Sequence, residues 1–160
     1  MDDGYLPASD FLRSVLADEV PLNDSDFGRA NLAKLIEMTR DPDPSNRDWA
    51  TLFVAQQDEF TDDIREALIL AAEDDDPRVA AEAIPGLANR NKAIALPLVK
   101  RALQADQVMR NIIEAAAVVA DPSLADDLRP FALESEDKYL DELVFEALAA
   151  CENYGPSENG

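Results

Sequence analysis

Residues 76–89 read Asp76-Pro77-Arg78-Val79-Ala80-Ala81-Glu82-Ala83-Ile84-Pro85-Gly86-Leu87-Ala88-Asn89. Val79, Ala83 and Leu87 recur every fourth residue, the spacing that sets apolar side chains on one face of an α-helix. Asp76 before Pro77 is a helix start. A carboxylate there accepts from free first-turn amides, and proline's fixed φ and missing N–H do no harm at the first helical position. The same start stands 33 residues earlier at Asp43-Pro44, which lays Ala50 on Ala83, Val54 on Leu87 and Ala55 on Ala88. Asp106 and Asp137 take the same place in two further, shorter units, and a shift of 30 residues carries Ile94, Leu98 and Ala102 onto Leu124, Leu128 and Ala132.

Each unit is therefore a helix, a tight turn, a second helix and a second turn. One amphipathic pair cannot bury its apolar face alone, whereas a stack of pairs buries a continuous strip. The expected fold is all-α, an α-solenoid of stacked antiparallel helix pairs with about nine helices. Beyond the repeats, stripes at Phe11, Val15 and Leu16 and at Leu32, Leu35 and Ile36 supply two N-terminal helices, the second capped by Ser25 or Asp26. Residues 1–151 then form a single repeat domain, with capping helices in 1–41 and repeats in 42–151. The polar residues 152–160 are expected to be a disordered tail.

Composition narrows the function classes. Lys and Arg number 14 against 34 Asp and Glu, a net charge of −20, and histidine is absent. The commonest general base, zinc ligand and pH switch are thereby missing together. A field of that sign repels phosphate backbones and anionic headgroups and favours basic partners, so neither nucleic acid nor membrane is an expected ligand. Cys151 is the single cysteine, with no zinc-ligand spacing around it, which suits reducing cytoplasm. No basic leader segment, spanning apolar run, phosphate loop or nucleophile elbow is present, and no catalytic residue, metal ligand or cofactor is expected.

The Asp-Pro openings, their following basic residues, alanines and leucines, and short turns such as Asp121-Pro122-Ser123-Leu124 resemble bacterial HEAT-like repeat proteins of the phycobilisome-lyase type. The resemblance covers roughly residues 28–151 and speaks to fold more than to function. It implies a polar ladder between units built from the opening Asp and an Arg four residues on, matched by Asp43 with Arg47 and Asp106 with Arg110. Ala80 and Asp141 stand at the basic position in the other two units, with Arg78 close enough to substitute. The resemblance also implies that second helices line a concave binding face, drawn here from residues 64–72, 92–104 and 124–134. Lys100, Arg101 and Arg129 are the candidate binding residues on it.

The acidic clusters Asp58-Glu59 with Asp62-Asp63, Glu73 to Asp76, and Glu134 with Glu136-Asp137 read as solvated helix ends, favoured by the helix dipole, rather than as metal or catalytic sites. Residues 41–46 alternate like a calcium loop but lack its central glycine and closing Glu. Trp49 reads as packing at the core edge. Pro85, inside a helix, deletes one backbone hydrogen bond and is expected to bend it. The resulting expectation is a non-enzymatic, cytoplasmic protein-interaction module, a scaffold, adaptor or regulator with a basic protein partner. The alternatives are an inhibitor or immunity protein imitating nucleic acid with its carboxylates, and a bilin-lyase-like cofactor-attachment protein. A HEAT-like DNA glycosylase would need a basic groove, which this charge balance opposes.

Overall fold

The computed structural model describes residues 4–153, which include nine α-helices, two short 3₁₀ turns and no strand. The helices are α1 (Asp10–Leu16), α2 (Asp26–Met38), α3 (Pro44–Ala55), α4 (Asp62–Ala71), α5 (Pro77–Ala88), α6 (Lys92–Leu103), α7 (Arg110–Val119), α8 (Ala125–Leu128) and α9 (Lys138–Asn153). The fold is all-α. None of the helices is long and apolar enough to cross a membrane.

Helix starts follow local chemistry. Ser9, Ser25, Asp43, Thr61 and Asn91 each present a side-chain oxygen to a first-turn amide of α1, α2, α3, α4 and α6. Asp76 does the same at α5, accepting from the Arg78 amide at 2.9 Å. Asp137 caps α9 through the Leu140 amide at 3.0 Å. Asp106 does not repeat this role: α7 opens at Arg110 behind Met109, with no side-chain cap.

The chain divides into two compact units, Met1–Ala83 and Ile84–Gly160, with the boundary inside α5 and just before Pro85. In the first unit α1 packs on α3 and α2 lies beside α4, while α2 with α3 and α3 with α4 close the layer. In the second, α7 packs on α9, α6 lies beside α8, and α6 adjoins α7. Odd helices stack on odd and even on even within each unit, the packing of an α-solenoid. Leu12, Leu35, Val54, Ile64, Leu68 and Val79 fill the first core; Ile84, Leu87, Val99, Ile113, Leu124 and Leu128 fill the second. Each fully buried leucine contributes about 1.5–3 kcal/mol.

Two sequence expectations change. The stripe Leu124, Leu128, Ala132 does not make one helix: a 3₁₀ turn, Pro122–Leu124, precedes the four-residue α8, and Pro130, with no N–H to continue that helix, lies in the second 3₁₀ turn, Arg129–Phe131, that ends it. The tail does not begin at residue 152, because α9 continues through Asn153 and buries Cys151. The remainder of that expected tail, 154–160, lies outside the described residues. Both α5 and α6 run through an internal proline, Pro85 and Pro97.

Candidate functional site, an acidic groove on the even helices

The even helices of the first unit leave a seam between them. Leu32, Ala33 and Ile36 of α2 face Ile64 and Ala67 of α4, and an open groove of about 500 Å³ lies over them at one end. Its walls are the loop before α2, at Leu22 to Asp24, and the α3–α4 turn, at Gln57 to Glu59. A smaller cavity of about 220 Å³ continues along the same seam over Ile36 and Ala67, bordered by Asp63, Glu66 and Arg40. The floor is apolar and the rim is acidic.

Each wall is fixed by the local sequence. Thr61 caps α4 and thereby sets Asp62 and Asp63 in its first turn, where the positive end of the helix dipole favours them. The 21–25 loop is pinned against α2 by Gly28: a Cβ there would collide with the Asn23 backbone, so only glycine admits so close an approach. Asn31 holds the same loop through the Pro21 carbonyl at 3.0 Å.

Asp58, Glu59, Asp63 and Glu66 are exposed and enter no ion pair among the described residues. Arg29, the cation nearest that end, is occupied by the Asp26 carboxylate at 2.5 Å and by the Asp24 carbonyl. The groove therefore offers four carboxylates outside ion pairs, against the guanidiniums of Arg29 and Arg40, above an apolar floor. Chemically it can receive a cationic group and its aliphatic stem; no group of three or more Asp, Glu or Cys among the described residues is arranged to hold a metal ion.

Two of the three basic residues expected to bind, Lys100 and Arg129, are used internally in the second unit. Lys100, on α6, donates to the Asp127 carboxylate at 2.7 Å and the Ser123 carbonyl at 3.0 Å, and so ties α6 to the α8 segment. That pairing, with a further bond from Gln104, holds the Asp127 carboxyl below its ordinary range. Arg129 pairs with Asp126 and with Glu152. Arg101, next to Lys100, is exposed. The three do not form one open cationic patch.

The ladder residues act over a fixed span. Arg47 reaches 27 residues ahead to Asp74, at 2.9 and 3.2 Å, while Asp43 caps its own helix. Arg110 reaches 27 residues ahead to Asp137 at 3.0 Å and lies over the Tyr139 ring. Arg78 bonds Asp76 in its own turn rather than a later unit. The acidic run 73–76 is thus structural, with Asp74 for Arg47 and Asp76 for the α5 start.

One cluster escaped the sequence reading. Asp48 is buried to 7% exposure on α3 and accepts from the Tyr5 hydroxyl at 2.5 Å. Tyr5 stacks on Trp49, Trp49 meets Phe53, and the Arg78 guanidinium lies over the Tyr5 ring. Burial raises the Asp48 carboxyl, and burial with the charge of Asp48 pushes Glu82 up to about 7. A signal was present: Glu82 stands 33 residues after Trp49, at the repeat position of a half-buried aromatic.

No family model matches the chain. Protein YibA of Escherichia coli K12 is 30% identical over 96 residues, which are 60% of this chain and 34% of that protein. Its counterpart in the O157:H7 strain gives the same values. The chain spans about a third of the length of the curated relatives it matches. The crystal structure of Escherichia coli YibA matches with a TM-score of 0.62 at 23% identity, covering 89% of this chain and 54% of that one. The fold is shared with YibA.

Proposed function

We propose that the chain is a non-enzymatic protein-interaction module of the HEAT-like kind, acting in the cytoplasm as a scaffold, adaptor or regulator. Its α2–α4 groove receives a basic segment of a partner protein. The observation that carries this reading is the row of unpaired carboxylates, Asp58, Glu59, Asp63 and Glu66, above an apolar floor in a chain of net charge −20. Such a surface holds the aliphatic stems of Lys or Arg against Leu32, Ala33 and Ile36 while the carboxylates meet the charged heads. The wider field speeds encounter and makes it salt-sensitive.

The test is affinity purification from the native cell with the wild-type chain and with a triple variant, Asp58→Lys, Glu59→Lys and Asp63→Lys. A basic protein retained by the wild type, released by raised salt and absent from the variant eluate is the expected result. Retention of the same proteins by both chains, indifferent to ionic strength, refutes the proposal.

A further inference from the structure

A second surface lies in the other unit, on the outer flank of α9. Phe145 is 73% exposed and Leu133 76% exposed, and both border a groove of about 340 Å³ floored by Ala132 and Leu148. The groove is held in shape. Asp141 accepts from the Ser135 amide at 3.0 Å and from its hydroxyl at 2.7 Å, which clamps the loop before α9 onto that helix. Lys138 bonds Glu134 across the mouth at 2.7 Å. Two large apolar side chains beside a fixed cleft are not the scatter of single exposed residues that an ordinary surface shows.

Charge selects the occupant. The groove's charged border is Glu134, Asp141 and Glu142 against the one ammonium of Lys138, which those first two carboxylates already share. Glu142 enters no ion pair among the described residues, and the exposed Glu146 follows one turn along. A second copy of this chain brings another −20 and is repelled. A segment with apolar anchors flanked by Lys or Arg satisfies floor and rim together.

We infer that the α9 groove is a second docking site, which takes an amphipathic helix of a partner protein with its apolar residues on Phe145, Leu133 and Leu148 and its basic residues toward Glu142 and Glu146. The inference rests on the reading of the chain as an interaction module for basic proteins, but not on the α2–α4 groove. Helix-in-groove recognition works through anchors at i, i+3, i+4 and i+7.

The probe is a fluorescent peptide with leucines at that spacing and lysines on its flanks, beside a control with the same leucines and glutamates in place of the lysines. Anisotropy titrations use wild type, Phe145→Ser, and the double variant Asp58→Lys with Asp63→Lys. The expected result is that the lysine peptide binds wild type at least tenfold more tightly than the control. Phe145→Ser weakens it at least tenfold, and the double variant leaves it within twofold. Loss in the double variant alone would move the binding to the α2–α4 groove and overturn this site while sparing the general reading. Equal binding of both peptides, or none, overturns it outright. So does sedimentation showing self-association that Phe145→Ser abolishes, which makes a second copy the occupant. Tightening on removal of residues 154–160 would overturn it in favour of the chain's own tail.

Discussion

At Asp48 the sequence places a carboxylate where the packing leaves 7% exposure, and the Tyr5 hydroxyl holds it at 2.5 Å. Tyr5→Phe removes that donor while keeping the ring on Trp49, so it is expected to cost about 1.5–3 kcal/mol in urea unfolding, the worth of a hydrogen bond to a buried charge. Glu82, pushed up to about 7 from an ordinary 4.5, faces Asp48, with Tyr5, Asp76 and Arg78 grouped around Asp48. The folded state binds Glu82's proton more tightly than the unfolded state. Its contribution is therefore intact below about pH 4.5 and is lost as pH rises toward 7. Glu82→Gln should match wild type at about pH 4 and exceed it at about pH 8, the difference between the two stability curves opening across that window. Cys151, buried and close to the Ala116 carbonyl, has its thiol pushed up to about 11 by burial, and is expected to stay unreacted toward thiol reagents until the second unit opens. The buried acids were harder to read in sequence than the leucines. Acidity is general in this chain, and a single Glu among exposed ones carries no mark except its repeat position.

Elements were legible where punctuation and periodicity agreed. Asp43-Pro44 and Asp76-Pro77 start α3 and α5 as their chemistry dictates, and the stripes of α4 and α7 become buried faces, while α6 buries Ala95, Leu98, Val99 and Leu103 and leaves Ile94 and Ala102 half-buried. They misled where spacing alone was used: Leu124, Leu128 and Ala132 keep a four-residue period, yet Pro130 denies the helix its length. Asp106 shows the same limit, since alignment by spacing gave it a capping role that Met109 occupies without a side-chain bond. Two substitutions test the element account. Asn91→Ala leaves the Ile94 amide, now bonded at 3.1 Å, without its cap, and is expected to cost about 1 kcal/mol in thermal or urea unfolding. Gly28→Ala must displace the 21–25 loop, at about 1–3 kcal/mol, and should widen the α2–α4 groove enough to alter amide shifts at Asn23 and Asp24.

For the molecule as a whole, the stacked pairs expected from the repeat are present within each unit, and the fold matches YibA. The groove was half legible. The α4 side falls on the face that the sequence assigns to binding, whereas α2 reads in sequence only as a cap, and Lys100 and Arg129 of the basic trio are spent on internal pairing. Net charge pointed toward a basic partner, but not to the seam where carboxylates stand unpaired over leucine and isoleucine. Screening supplies a further check: association through that seam should weaken steeply between 50 mM and about 0.5 M salt, as the Debye length falls to a few ångströms. The most direct measurement is a ¹H–¹⁵N NMR titration of the chain with a short Lys- and Arg-rich peptide. Saturable shifts confined to Asn23, Leu32, Ile36, Asp58, Glu59 and Asp63 are the expected result. Shifts spread evenly over exposed carboxylates, or absent from the seam, would contradict the assignment of the α2–α4 groove as the binding surface.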